Sequence, residues 1–211
     1  MSHILKYYNS EKIEVGIDEA GRGCLAGPVF TGAVILPKDF EEEDEDLIYQ
    51  IKDSKKLSRK KRHILKSFIE SIALDFNVSS KDNEYIDKHN ILKSTHDCMH
   101  QSVTKLNIVP ELILVDGNYF KPYYNEEELI ENICIIGGDN KYLPIACASI
   151  LAKEYHDDYI QDLLNKDSSL NVYGWDTNMC YGTQKHINGI EENGLSKYHR
   201  KSFGICKDYL N

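Results

Sequence analysis

No stretch of this 211-residue chain is long and apolar enough to span a bilayer. Its apolar runs, such as residues 108–115, which Glu111 interrupts, fall far short of the roughly 20 residues a membrane helix needs. The N-terminus has no apolar segment ahead of a small-residue cleavage site, so no secretory signal is read and a cytoplasmic location is expected. Positive charge is scarce too: 25 Lys and Arg stand against 34 Asp and Glu, a net of −9. That excludes a protein that coats nucleic acid through bulk charge, while a locally basic groove stays open. The six cysteines, at 24, 98, 134, 147, 180 and 206, include no C-x-x-C pair and no zinc-site spacing. They read as buried free thiols in a reducing compartment. Internal repeats and low-complexity linkers are missing, so one domain is expected over 1–211, with about 170–211 as a helical C-terminal appendage.

The charge that is present comes in blocks. Residues 39–46 carry seven acids and no base, and read as a solvated loop. Residues 52–66 carry eight Lys or Arg against Asp53 alone. Periodicity supplies the elements. Residues 13–17 alternate as a strand, and 29–36 form a second strand reached through Gly27-Pro28. Ser58 is an N-cap candidate for a helix over 58–73, with Ile64, Leu65, Phe68, Ile69 and Ile72 on one stripe. A short strand with Phe76 and Val78 and a helical region over about 82–106 follow. Residues 112–115 and 133–136 are short, wholly apolar runs of the kind that form central strands. A long helix over 145–164, packed through Ala146, Ala148, Ser149 and Ala152, and another over 183–192, ended by Gly194, complete a mixed α/β pattern.

Three acidic signals sit at the ends of predicted strands. Asp18 and Glu19 precede the turn Gly21-Arg22-Gly23, where glycine permits a kink and close backbone approach to phosphate. Neighbouring strand residues face opposite sides, so the two acids converge only if the strand ends or kinks there. Asp116 follows 112–115 and precedes Gly117, and Asp139 follows Gly137-Gly138. Each alone also reads as an ordinary turn, an exposed acid pair or a helix cap. Together they form an all-oxygen donor set of the kind that suits Mg²⁺ or Mn²⁺, and two such ions would serve phosphodiester hydrolysis. A metal-dependent phosphatase and a non-catalytic nucleic-acid-binding module are the alternatives. The first leaves the Gly-Arg-Gly turn and the basic block unexplained, and in the second the acids oppose the ligand.

The string Asp18-Glu19-Ala20-Gly21-Arg22-Gly23 with Gly27-Pro28-Val29 resembles the signature of type 2 ribonucleases H, of the bacterial ribonuclease HII kind. So do Asp53-Ser54-Lys55-Lys56-Leu57-Ser58, Val115-Asp116-Gly117, Gly138-Asp139 and Ala148-Ser149-Ile150-Leu151-Ala152-Lys153. Tyr181-Gly182-Thr183 and His199-Arg200-Lys201-Ser202-Phe203 complete the series, in the family's order over roughly 13–204. The sister type, ribonuclease HIII, usually carries Gly-Lys-Gly in the turn and an extra N-terminal domain, for which the dozen residues before the first strand leave no room. The resemblance implies an α/β fold of RNase H type, a mixed sheet flanked by helices with a small helical C-terminal part. It implies an endoribonuclease that cleaves the RNA strand of RNA–DNA hybrids and nicks 5′ to single ribonucleotides in duplex DNA, leaving 3′-hydroxyl and 5′-phosphate ends. Asp18, Glu19, Asp116 and Asp139 would be catalytic and hold two Mg²⁺ or Mn²⁺ ions. Gly21, Arg22 and Gly23 would hold the substrate backbone, Tyr181 would stack on a sugar and sense the 2′-hydroxyl, and Lys55 and Lys56 would neutralise phosphates. Lys153 and Arg200 are further candidate phosphate contacts, while Arg59–Arg62 are expected to face solvent or distal duplex. A monomer is the default. Three positions depart from the pattern: Gly137 where a base is usual, Cys147 for alanine, and Cys180 for glycine.

Overall fold

The computed structural model describes residues 4–51 and 57–209. Its strands are β1 (Glu14–Ala20), β2 (Val29–Ile35), β3 (Asp75–Lys81), β4 (Leu112–Asp116), β5 (Tyr123–Asn125) and β6 (Glu128–Ile135). They form one six-stranded sheet in the order β3-β2-β1-β4-β6-β5. β1 pairs antiparallel with β2 and parallel with β4; β6 pairs parallel with β4 and antiparallel with β5. The helices are α1 (Glu45–Ile48), α2 (Arg59–Ile72), α3 (Asn83–His89), α4 (Ile91–Thr104), α5 (Leu143–Lys166), α6 (Trp175–Asn178) and α7 (Gln184–Asn193). The expected mixed sheet flanked by helices is therefore present.

Alternation along β1 and β4 builds both layers. Val15, Ile17, Ile113 and Val115 pack with Met99 and Val103 of α4. Leu112 and Leu114 turn the other way, onto Ile145 of α5. α5 comes close because the strands offer glycine there: a Cβ on Gly16 would run into the Pro144 carbonyl, and one on Gly32 would lie 2.5 Å from Ala148 O. α2 covers the outer side of α5, burying Leu65, Phe68 and Ile69 in one cluster with Leu151. Ser58 caps it, accepting from Lys61 N at 3.3 Å. The second half of α5 carries a further cluster, in which Ile160, Leu163 and Leu164 meet Trp175, Cys180 and Ile190 from the C-terminal segment.

Several expectations need correction. β1 does not end before the acid pair; it continues through Asp18 and Glu19 to Ala20. The helical region expected over about 82–106 holds two helices, parted at Asn90, whose φ of 64° departs from helical geometry while its side chain caps α4 by accepting from Lys93 N at 3.0 Å. The acidic block is not an open loop: a 3₁₀ turn (Glu42–Asp44) and α1 run through it. β6 begins earlier than 133 because a hairpin with β5 extends it. Cys24, Cys98, Cys147, Cys180 and Cys206 are buried and Cys134 is half-buried, all six as free thiols. No helix among the described residues is long and apolar enough to cross a membrane.

Candidate active site

Asp18 lies on the α5 side of the sheet, opposite Gly32 of β2, and the Ser149 hydroxyl of α5 bonds its carboxylate. It is buried, and its Oδ1 also accepts from the Glu19 backbone N–H at 2.7 Å. Burial pushes its carboxyl well above the ordinary carboxylate range, and the charges of Glu19 and Asp116 push the same way. The groups that shift it most include two carboxylates, a hydroxyl and a backbone N–H, and no cation. Glu19 is half-buried and takes Arg22 Nη1 at 3.4 Å. β1 runs on through the pair, so the strand does not stop to gather the two acids, yet the Glu19 charge still reaches the Asp18 carboxyl and pushes it up.

Asp116 ends β4, and its Oδ1 accepts from the Gly138 N–H at 2.7 Å, which ties the next turn to the strand end. Asp139 sits inside that turn, a 3₁₀ segment (Gly138–Asn140), and not at a strand terminus. It is buried and accepts from Asn140 Nδ2 at 2.8 Å. Gly137 has φ 63°, a left-handed conformation that glycine adopts at little cost, which accounts for its presence where a base was expected. Among the described residues, no trio of His, Cys, Asp or Glu is gathered tightly enough to chelate an ion unaided. The donor chemistry nevertheless fits a hard divalent cation: oxygen ligands, two of them buried, with the charges of Glu19 and Asp116 pressing on Asp18.

The Gly21-Arg22-Gly23 turn follows directly. Gly21 has φ 80°, and a Cβ there would lie 2.6 Å from the His156 ring, so both conformation and space demand glycine. Arg200 holds the turn from within: Nη2 donates to Gly21 O at 2.7 Å, Nη1 to Arg22 O at 3.0 Å and Nε to Gly27 O at 2.9 Å. Arg200 is fully buried. The expectation that it contacts phosphate is thus corrected; its guanidinium is occupied by three carbonyls. In a trans peptide C=O and N–H point opposite ways, so the Arg22 and Gly23 N–H groups are turned away from Arg200.

Tyr181 joins this turn. Its hydroxyl meets the Gly21 backbone and the Cys24 thiol, its ring lies beside Gly23, and its backbone bridges to Cys24. Burial raises its hydroxyl above the ordinary tyrosine value. Lys153 Nζ stands 5.2 Å over the Tyr181 ring and donates to Asp157 at 2.7 Å, so its charge is partnered. Cys180, before Tyr181, has φ 66°, the reason glycine is expected there. Burial of the Cys24 thiol pushes it up to about 12, which keeps it protonated.

The basic block behaves differently from expectation. Arg62 is buried: Nε donates to Glu154 at 2.6 Å, Nη2 to Asp157 at 3.0 Å and Nη1 to Leu57 O at 3.1 Å. Lys66 pairs with Asp158 at 2.8 Å. Arg59 also lies 4.0 Å from Asp158, so three of the block's cations among the described residues meet acids of α5, and Arg62 faces neither solvent nor duplex. Lys55 and Lys56 lie outside the described residues. Sequence reasoning missed His156, Asp157 and the inward role of Arg200. A signal existed for Asp157, an acid four residues after Lys153 on one helix.

A family model described as ribonuclease HII matches residues 15–206. A ribonuclease HII from Parabacteroides distasonis is 44% identical over 207 residues, 98% of each chain. Among solved structures, the ribonuclease H2 from Pyrococcus horikoshii superposes with a TM-score of 0.76 at 23% identity, over 93% of this chain and 96% of that one. A structure titled Bst-RNase HIII in complex with Mn²⁺ has a TM-score of 0.68 at 16% identity, covering 94% of this chain and 69% of that one. At those identities the likeness to both structures concerns the fold.

Proposed function

The chain belongs to the ribonuclease HII family and is a nuclease, and on that premise we propose that it hydrolyses the RNA strand of RNA–DNA hybrids and nicks duplex DNA 5′ to a single embedded ribonucleotide. The observation that carries the finer reading is the junction of Tyr181 with the Gly21-Arg22-Gly23 turn, immediately beyond the strand that bears Asp18 and Glu19. A lone ribonucleotide differs from its neighbours only by a 2′-hydroxyl, so a reader must place hydrogen-bonding groups and an aromatic face against one sugar. The outward N–H groups of Arg22 and Gly23, with the Tyr181 ring beside them, supply both.

Asp18, Glu19, Asp116 and Asp139 are the residues that would hold divalent ions. Two Mg²⁺ or Mn²⁺ ions bound there would supply activation of the attacking water and neutralisation of the leaving oxygen. The Mn²⁺ complex of the Bst ribonuclease HIII supports divalent metal use in this fold. The protein's own part is positional. Ser149 and the Glu19 N–H orient the Asp18 carboxylate, the Gly138 N–H orients Asp116, and Arg200 sets the turn that grips the backbone on the ribonucleotide side. Lys55 and Lys56 keep the phosphate role implied by their motif. The products are a 3′-hydroxyl and a 5′-phosphate, and the enzyme works as a cytoplasmic monomer.

The test is incubation with Mg²⁺ or Mn²⁺ and an end-labelled DNA duplex containing one ribonucleotide. A single nick 5′ to that position, with 3′-hydroxyl and 5′-phosphate ends, is the expected result. Binding without a nick, or cleavage of hybrids alone, overturns the ribonucleotide reading.

A further inference from the structure

Two fully buried imidazoles in the C-terminal segment face each other Nε2 to Nε2, His186 and His199, at 3.0 Å. Between two neutral rings only one of the facing nitrogens carries the proton, and the surrounding partners decide which. The Ser196 backbone N–H reaches His199 Nδ1 at 2.9 Å and can only donate, so Nδ1 is the acceptor and Nε2 of His199 bears hydrogen. On His186, the Trp175 indole N–H donates to Nε2 at 3.0 Å, which makes Nε2 the acceptor there. His186 Nδ1 stands 3.1 Å from the Tyr181 carbonyl oxygen, an acceptor only, so Nδ1 bears the hydrogen. Ser196, Trp175 and Tyr181 agree on a single pair of tautomers. The one Nε2 lone pair of His186 is shared between the Trp175 and His199 N–H groups, and the donors run one way, from Ser196 through His199 and His186 to the Tyr181 carbonyl.

We infer that His199 and His186 form an ordered hydrogen-bond chain that positions the backbone of Tyr181, and are thereby positioning residues for ribonucleotide selection. The selection half of this rests on the reading of Tyr181 given above. The Tyr181 carbonyl takes a second donor, the Thr183 N–H at 2.8 Å, while the Tyr181 N–H donates to Asn178 O at 2.9 Å. With both polar groups of the residue committed, the direction of its ring toward Gly21 and Gly23 is set from behind. Apolar side chains of similar size would fill the same volume without the cost of burying polar groups. What they would not supply is a fixed donor aimed at the Tyr181 carbonyl. The chain links the family-like segments at 181–183 and 199–203 through side chains that touch neither acid nor turn.

Two readouts test this. In the wild-type protein, nitrogen-15 histidine spectra should show His186 as the Nδ1–H tautomer and His199 as the Nε2–H tautomer; the opposite tautomers overturn the chain without any variant. The variants His199→Gln, which keeps an N–H near the reach of Nε2, and His199→Leu, which does not, are then compared for two quantities. One is amide exchange at Thr183, and the other is the ratio of kcat/KM on a single-ribonucleotide duplex to that on a uniform RNA–DNA hybrid. His199→Leu should speed the exchange and lower the ratio, each about tenfold, with His199→Gln restoring both to within about threefold. Unchanged exchange and ratio in folded His199→Leu overturn the proposal. Faster exchange with an unchanged ratio, and no change of ratio in Tyr181→Phe, upholds the positioning chain and instead overturns Tyr181 as the sensor.

Discussion

Arg200 Nη2 donates to the carbonyl oxygen of Gly21 at 2.7 Å, and this one bond joins the last family-like segment of the chain to the first. The other guanidinium nitrogens take Arg22 O and Gly27 O, so a planar fork is matched to three carbonyls, two in the turn and one just beyond it. A lysine in its place reaches one or two of them as a point charge.

Arg200→Lys should therefore lower stability by about 3 kcal/mol, because buried carbonyls are left without donors. In a chain of this length that corresponds to a fall in Tm of about 10 °C. Thermal unfolding measures the first effect. Nicking at a temperature where the variant is still folded measures the second: a loss of activity beyond the unfolded fraction is expected, since the turn proposed to face substrate is no longer held. Unchanged Tm and activity would show that the three bonds do not hold the turn.

Asp116→Asn separates charge from structure. An Asn keeps an oxygen to accept from the Gly138 N–H, now 2.7 Å from Oδ1, so the strand end and its turn stay joined. One of the two carboxylates pressing on Asp18 is gone, so the Asp18 carboxyl falls toward its ordinary range and the metal-free protein is no less stable. Cleavage with Mg²⁺ should drop by roughly 10²–10³-fold, the scale of losing one preorganised electrostatic group. A variant with full Mg²⁺-dependent cleavage would remove Asp116 from the site.

Cys180 carries the backbone cost of φ 66° that glycine would not. Cys180→Gly and Cys180→Ala both lose the buried sulfur, but only the glycine variant relaxes the backbone. Urea unfolding should find Cys180→Gly more stable than Cys180→Ala by about 1 kcal/mol. Equal stabilities would mean that the neighbouring contacts absorb the strain.

The parts of the fold that were legible in the sequence are those whose cause is local. Ser58 and the stripe of Leu65, Phe68 and Ile69 mark α2 by themselves, and the small residues of α5 announce close packing, though not that Gly16 and Gly32 are the surfaces it meets. The β5–β6 hairpin was invisible because the left-handed position of its turn, φ 55°, is held by Glu126 instead of the glycine or asparagine that would signal it. Asn90 did leave a sign, a residue type that tolerates positive φ, inside a run whose apolar spacing reads as helical. The four acids were visible as residue types after apolar runs, whereas their geometry was not. Most obscure were the buried cations. Arg62 and Arg200 look like any surface base in sequence, and their partners lie 92 and 179 residues away.

The buried histidines give stability a definite pH dependence. Burial pushes His199 down to about 4, with the neighbouring His186 charge acting the same way, and burial also lowers His186, His156 and His96. The unfolded chain takes up protons on these rings near pH 6.5 while the folded chain does not. Between pH 6.5 and about 4 the unfolded state therefore binds more protons, so stability rises with pH across that window and falls on acidification. Asp18 works in the opposite sense: its raised carboxyl is protonated earlier in the folded state, which relieves the crowding with Glu19 and Asp116 as pH drops. Glu154, raised by its burial, acts as Asp18 does; the four histidines outnumber these two acids, so the net direction is loss. Urea unfolding at pH 5 should give a free energy lower than at pH 7 by at least about 2 kcal/mol, of which His199 alone accounts for most. In His199→Gln, which has no ring to protonate, the slope between pH 5 and 7 should flatten by about that amount. A slope equal to the wild type would mean that His199 is not held neutral by its burial.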